Sequence, residues 1–486
     1  MSDFSEMLSF AIKSRNINVN EMIQYCGIDR STMYQIIRGK RKPANMRLVE
    51  EIAAFMELSP SERQRFIDTY EITRIGKEKF YSRKSVYQFL LDFDLLNSKD
   101  FLKLDTPPFI DVPFCDADSK SLICLSRQSQ ISAYIHRIFK QESSKEYGKI
   151  YIIAQPKHLD KINLSAYLLN FGDNISIQHI LCMDNSKDIL SSEQNYNINC
   201  FKALLPFYGM QYEYIPYYYY DQVSSHFGSF NLMPCLFLTS SEAVVCSDDL
   251  MEGFYFSSPD VISSLSRYFH NALSNAKPLS TSFRSVLDTF LQNFYHKTSS
   301  QTMQYYLAAE PCLIRFFRDE ILEQHLKSDI PDRENVLELL KAYVRKQKSF
   351  KNYYYFFTKK GMENFLETGR FHEIPDEIYE AFHYSDRIDF LRQLYEENQA
   401  QPRTFLLKGN LADIPDNFNL FGSASTGFLL FSKYYGLPSF LLLQEPKIIQ
   451  SFYDFLSSII ENHLATSLEE TQQYLKDLLE QAGVYL

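Results

Sequence analysis

The chain has 486 residues, a formal net charge of -10, 45% hydrophobic and 23% charged residues. At roughly 150 residues per domain this composition predicts about three globular domains. Only 15 Gly and 18 Pro punctuate it, which excludes a low-complexity or collagen-like chain. The opening "MSDFSEMLSF" has no basic start and no apolar run, and no apolar stretch approaches the ~20 residues that span a bilayer. A cytoplasmic protein without membrane attachment is expected. The eight cysteines are scattered, with no C-x-x-C pair, so neither a zinc site nor a disulfide framework is predicted.

Residues 1–70 read as helices with clear punctuation. "FSEMLSFAIKSR" puts Phe4, Leu8, Ala11 and Ile12 on one face. "NINVNEMIQYCG" offers Asn18 and Glu21 as a capping box, with Met22 and Ile23 inward and Gly27 as the stop. Asp29 caps "RSTMYQIIRG", whose Met33, Ile36 and Ile37 face in and whose Gly39 ends it. A fourth helix follows Pro43, and Ser59, Pro60 and Glu62 open a fifth. Charge is uneven here. Residues 1–70 carry ten Lys+Arg and nine Asp+Glu, a net of +1, which leaves -11 for the remainder. From Arg30 to Val49 there are six basic residues and no acid, the footprint of a phosphate-contacting face.

Two short helices joined by a tight Gly-containing turn form a helix-turn-helix. The stretch "MIQYCGIDRSTMYQIIRGKRKP", with "AIKSRN" before it, resembles the XRE family of Cro/repressor-type DNA-binding domains over about residues 4–70. It departs from the family where Gln is common early in the second helix, here Val19 and Asn20. It departs again before the terminal turn, where Ile37 replaces a common Glu. The resemblance implies that Arg30–Arg38 is a recognition helix in the major groove of double-stranded DNA. Arg30, Ser31, Thr32, Tyr34 and Gln35 would then reach base edges, and Asn18, Arg38, Lys40, Arg41 and Lys42 would hold phosphates. RNA is disfavoured, because the stretch lacks paired aromatics to stack unpaired bases.

Residues 71–110 read as a helical connector with Phe80, Val86, Tyr87, Phe89 and Leu90 as its apolar stripe, either a coupling or dimer element or a plain linker. "DTPPFIDVPF" marks the boundary. The rest is expected to be a large mixed α/β body: an α/β lobe over 111–275, a helical segment over 276–345 and a second α/β lobe over 346–486. "FYFSSPDVISSLSRYFHNAL" and "FLLLQEPKIIQSFYDFLSSI" superpose on Pro259 and Pro446. That echo raises a duplication, although any strand–Pro–helix pair looks similar.

Chemical motifs are sparse. "HLKSDIPD" has the H-x-K-x4-D spacing of phospholipase D-type enzymes, with His325, Lys327 and Asp332. It follows a helical pattern, has no second copy and lacks the accompanying Gly-Ser, so chance is the better reading. "GSASTG" at 422–427 lacks the Lys-Ser/Thr of a phosphate-binding loop and reads as a turn. The tyrosine-rich runs "YEYIPYYYYD" and "NYYYFF" supply the candidate effector pocket, with Tyr214, Tyr217, Tyr219 and Tyr354, against the plainer reading of ordinary sheet residues. The expectation is a non-enzymatic one-component transcriptional regulator that acts as a homodimer on a palindrome. Its body would bind an unknown small-molecule or peptide effector, with no cofactor and no metal. The rival readings are a DNA-tethered phosphodiesterase or nuclease and a DNA-anchored scaffold.

Overall fold

A computed structural model describes residues 2–97, 121–185, 195–208, 210–223, 231–283, 301–371, 378–416, 418–434 and 437–485. The "DTPPFIDVPF" boundary lies outside them. The chain divides into two compact units, the first reaching to Ser85 and the second holding most of the chain from Val86 onward.

The first unit is all-helical: α1 (Asp3–Ser14), α2 (Val19–Cys26), α3 (Arg30–Ile37), α4 (Met46–Phe55) and α5 (Pro60–Ile75). Phe4, Leu8, Met22, Met33, Ile36, Val49, Ile52 and Phe66 close one small core, as the apolar periodicity requires. Ser59 and Glu62 complete their capping box, and both Glu62 carboxylate oxygens also accept from Arg15 Nη2, each at 2.8 Å. The hydrogen bonds from Ser59, with Arg15 adding to them, hold the Glu62 carboxyl down at about 2. The continuous helix expected from residue 71 is interrupted. Gly76, at φ +90°, ends α5, and α6 (Lys77–Asn97) starts anew. From Val86 on, Val86, Phe89, Leu90 and Phe93 of α6 are buried in the second unit's core.

The second unit is built on two mixed sheets. The first contains β1 (Leu122–Leu125), β2 (Gly148–Ile153), β3 (Ile175–Asp184), β4 (Glu213–Asp221), β5 (Cys235–Leu238), β6 (Ala243–Cys246), β7 (Gly253–Phe256) and β8 (Lys277–Pro278), in the order β1-β7-β6-β5-β2-β3-β4-β8. The second contains β9 (Ser280–Phe283), β10 (Gln304–Ala308), β11 (Tyr353–Phe357), β12 (Thr404–Leu406), β13 (Asn419–Ser423), β14 (Gly427–Tyr434) and β15 (Leu437–Leu443). Read from β9, its order is β9-β15-β14-β13-β10-β11-β12.

Apart from β8, these orders are the same. In each sheet the first long strand pairs in parallel with the next two, β2-β3-β4 and β10-β11-β12. On its other side it meets an antiparallel meander, β5-β6-β7 and β13-β14-β15. A strand from before the lobe closes each meander, β1 on β7 and β9 on β15. The helices after β7 and β15, Pro259–Ser274 and Pro446–Ser457, each place an aromatic on the first parallel strand: Phe269 against Tyr151 and Tyr453 against Tyr305. The echo about Pro259 and Pro446 is therefore part of a repeat that runs through seven strands. The chain's body is two lobes of one topology.

The stretch 276–345, expected to be helical, is a correction. It holds β8, β9 and β10 besides the helices Asp319–His325 and Arg333–Ser349. β10, "QYYLA", is buried along its whole length at the centre of its sheet, so it shows none of the alternation by which a strand is recognised.

Candidate nucleic-acid interface

Asp29 starts α3, its carboxylate accepting the Thr32 amide at 2.8 Å, and hydrogen bonding to the Thr32 side chain and then to that amide holds its pKa below the ordinary value. Met33 and Ile36 anchor the helix in the core, which turns Arg30, Ser31, Gln35 and Arg38 outward. Thr32 and Tyr34 are half-buried. Gly39, at φ +68°, then reverses the chain. A Cβ there would lie 2.6 Å from Ser5 Oγ, so α1 packs against the turn as only glycine permits. Ser9 Oγ reinforces that contact by donating to the Ile37 carbonyl at 3.1 Å. Lys40, Arg41 and Lys42 are exposed just beyond.

The electrostatics of this face differ from the rest of the unit. Arg15, Arg47, Arg63, Arg74 and Lys84 each pair with a carboxylate. Among the described residues, Arg30, Arg38, Lys40, Arg41 and Lys42 have no such ion pair. The Arg30 and Arg38 guanidinium groups each lie over the Tyr34 ring, at 5.6 and 5.9 Å from its centroid, and are steadied by it. Arg41 folds back, its Nη1 donating to Thr32 Oγ1 at 3.2 Å, and Gln35 Nε2 reaches Ser31 Oγ at 3.5 Å. The ten residues predicted from the sequence thus fall on one helix, the turn after it and the start of α2.

Asn18 differs from expectation. Its side-chain oxygen accepts from the Asn20 amide at 3.0 Å, and its amide nitrogen donates to Glu21 at 2.7 Å. Glu21 takes the side chain of Asn18 rather than its backbone N–H, so the predicted capping box is replaced by a cap plus a side-chain pair. The amide of Asn18 is engaged within its own helix start.

The four tyrosines of the predicted effector pocket do not converge. Along β4, Tyr214 faces the core, its hydroxyl donating to His179 Nδ1 at 2.7 Å. Tyr217 and Tyr219 point to the opposite face by strand alternation and pack beside Ile180, Leu236 and Phe269. Tyr354 belongs to the other lobe and stacks on Tyr305 at 6.0 Å. His325 of the "HLKSDIPD" motif is buried at the end of its helix, its Nε2 3.2 Å from Asp386 Oδ2, against the Phe382 ring. "GSASTG" forms the β13–β14 hairpin turn.

Sequence reading missed one buried polar corner of the second lobe. Asn419 opens β13 and is 1% exposed, and neither its Nδ2 nor its Oδ1 has a hydrogen-bond partner among the described residues. It lines a small recess with Glu310. Lone Asn and Glu residues in apolar runs are weak signals, and only the pairing of Ala308 with Asn419 brings the two together.

No family model matches the chain, and no curated protein matches it. Among solved structures it is similar to TrmBL2, described as an archaeal chromatin protein with a novel mode of DNA binding, at 11% identity and a TM-score of 0.20 over 46% of this chain and 72% of that one. It is similar to the phosphatidylserine synthase of Haemophilus influenzae Rd KW20, at 11% identity and a TM-score of 0.21 over 75% and 94%. It is also similar to the polyphosphate kinase of Porphyromonas gingivalis, at 11% and 0.21 over 74% and 55%. At these scores none of the three carries an argument about this chain.

Proposed function

We propose that the chain is a sequence-specific DNA-binding regulator of XRE type. α2 and α3 act as the helix-turn-helix, with α3 lying in the major groove. Arg30 and Gln35 read base edges, Ser31, Thr32 and Tyr34 lie beside them, and Arg38, Lys40, Arg41 and Lys42 hold phosphates. The backbone amides at the start of α2, beneath Asn18, add a further anion contact. The two-lobed body senses a signal, joins two protomers, or does both.

The observation that carries this reading is the group of five exposed cations between Arg30 and Lys42 with no carboxylate partner among the described residues, on a chain of net charge -10. A cation left without an internal partner serves an external anion at no cost in a broken pair. The exposed side chains of α3 combine charge with an amide, which suits base edges rather than phosphate alone.

The test is selection of genomic DNA fragments by the purified protein at two salt concentrations, followed by sequencing. One enriched palindrome is expected, with affinity falling steeply as salt rises. Recovery of fragments with no shared sequence would reject base reading and leave at most a non-specific anchor.

A further inference from the structure

The edge of a sheet presents backbone N–H and C=O groups that invite another strand, and folded chains guard it with charge, proline, polar side chains or a covering segment. Among the described residues, three of the four edges of the two sheets are guarded. β8 consists of Lys277 and Pro278. β12 is covered by residues 464–466: the Thr466 amide donates to the Leu406 carbonyl at 2.8 Å, and the Lys408 amide to the Leu464 carbonyl at 3.0 Å. β9 opens with Ser280, Thr281 and Ser282, and Ser280, 3% exposed, shares a hydrogen bond with Tyr208 of the first lobe.

β1 is different. Its sequence is "LICL", with no charge and no proline, and no described element pairs with its outer side. Leu122 is 51% exposed, and Cys124 is exposed too. They lie opposite Phe256 and Phe254 of β7, both half-buried, so the four side chains make one apolar patch on one face of the edge. The repeat sharpens the contrast. Leu122 stands opposite Phe256 as Ser280 stands opposite Leu443 in the second lobe. There the position is polar and covered. Here it is apolar and bare, the pattern of a surface that is covered in use.

We propose that β1 pairs antiparallel with β1 of a second copy of this chain, about a twofold axis perpendicular to the sheet, so that two first lobes form one continuous sheet. An axis at Ile123 sets Ile123 opposite its copy and Leu122 of each protomer opposite Cys124 of the other. Strand alternation keeps Leu122 and Cys124 on one face, so the two apolar patches merge across the axis. Charge points to a second copy as the occupant. Residues 71–486 carry -11, so two copies repel over most of their surface, and an uncharged strand lets them meet with no like-charge pair across the contact. A strand with no cation does not suit a nucleic acid. The contact is four residues a side, far fewer than the ~20–30 of a standard interface, so a dissociation constant on the order of 10 µM is expected. The pairing rests on this edge and holds whether or not α3 reads DNA.

The experiment is sedimentation velocity of the full chain, without DNA, from about 1 to 100 µM. The wild type should pass from monomer to dimer over that range. Leu122→Lys combined with Cys124→Lys sets four lysines about the axis and should leave a monomer throughout, with the circular dichroism spectrum unchanged because both side chains are exposed. A second variant fixes the register. In a Cys115→Ser background, which removes a thiol outside the described residues, Leu122→Cys puts a thiol opposite Cys124 of the other protomer. Copper-catalysed oxidation by air should then lock the dimer as a covalent species that a reducing agent releases. A wild type that stays monomeric at 100 µM would overturn the proposal and leave β1 to a strand of a different protein. A dimer that survives both lysines, or one that gives no covalent species with Leu122→Cys, would overturn it as well.

Discussion

Gly39 carries two constraints at once, a positive φ and contact with α1, so its replacement tests the placement of α3 directly. Gly39→Ala should lower stability by more than ~1 kcal/mol, since neither the backbone angle nor the space suits a Cβ. Thermal unfolding of the variant checks this, and an unchanged melting temperature would show the turn relaxing freely. If α3 reads DNA, Arg30→Ala and Gln35→Ala should each relax discrimination at one base position by ~1–3 kcal/mol. Lys40→Ala should weaken all sequences alike, and competition binding against mutated operators separates the two patterns. Histidines in the first lobe give a pH prediction. Burial pushes His179 and His136 down to about 4, against partly opposing hydrogen bonds to the carbonyls of Ala154 and Ile162. The unfolded chain holds these protons at an ordinary value near 6.5. Their contribution to stability is therefore complete above about pH 6.5 and is lost as pH falls toward 4. Their ring resonances in an NMR titration should stay neutral through pH 6, and a midpoint near 6.5 for either would refute its burial in the neutral form.

At the scale of elements, legibility followed the strength of local punctuation. The caps at Asp29 and Ser59 and the stops at Gly27 and Gly39 made the helices of the first unit readable almost to the residue, because each answers a backbone need within four residues. Strands with aromatic or β-branched runs, such as β3 and β4, were equally plain. β10 and β13 were not, because both faces of each are covered, so no alternation marks them, and because they pair with each other across a long stretch of sequence. The recess at Asn419 was invisible for the same reason: it exists only once β10 and β13 pair. The repeat was half visible, through Pro259 and Pro446, because strand–Pro–helix units keep their pattern while the strands before them drift. One contact ties the second lobe's elements together tightly. A Cβ on Gly361, at the start of the helix Lys359–Thr368, would lie 2.1 Å from the Ala309 carbonyl. Gly361→Ala should therefore shift the loop after β10, lowering the melting temperature of the body while operator binding by the folded fraction keeps its salt dependence.

For the whole molecule, the division of charge sets the terms of any encounter with DNA. Residues 1–70 carry +1 and the remainder carries -11, so attraction must come from a small area while the body repels. Such an arrangement favours binding in which the few available cations all engage. A DNA site that used only one or two would not offset the repulsion. The salt dependence counts them. Each phosphate neutralised contributes about -0.9 to the slope of log affinity against log salt. With Arg38, Lys40, Arg41 and Lys42 on phosphates, one protomer should give a slope of roughly -3 to -4, and two protomers on a palindrome about -7. A slope near -7 with a twofold-symmetric site would fix the working unit as a dimer. A slope near -3.5 on an asymmetric site would mean a single reader, and the body's two lobes would then be a repeat within one chain with no matching repeat in the DNA. A slope near zero would exclude phosphate contact by these residues altogether and remove the basis for the regulator.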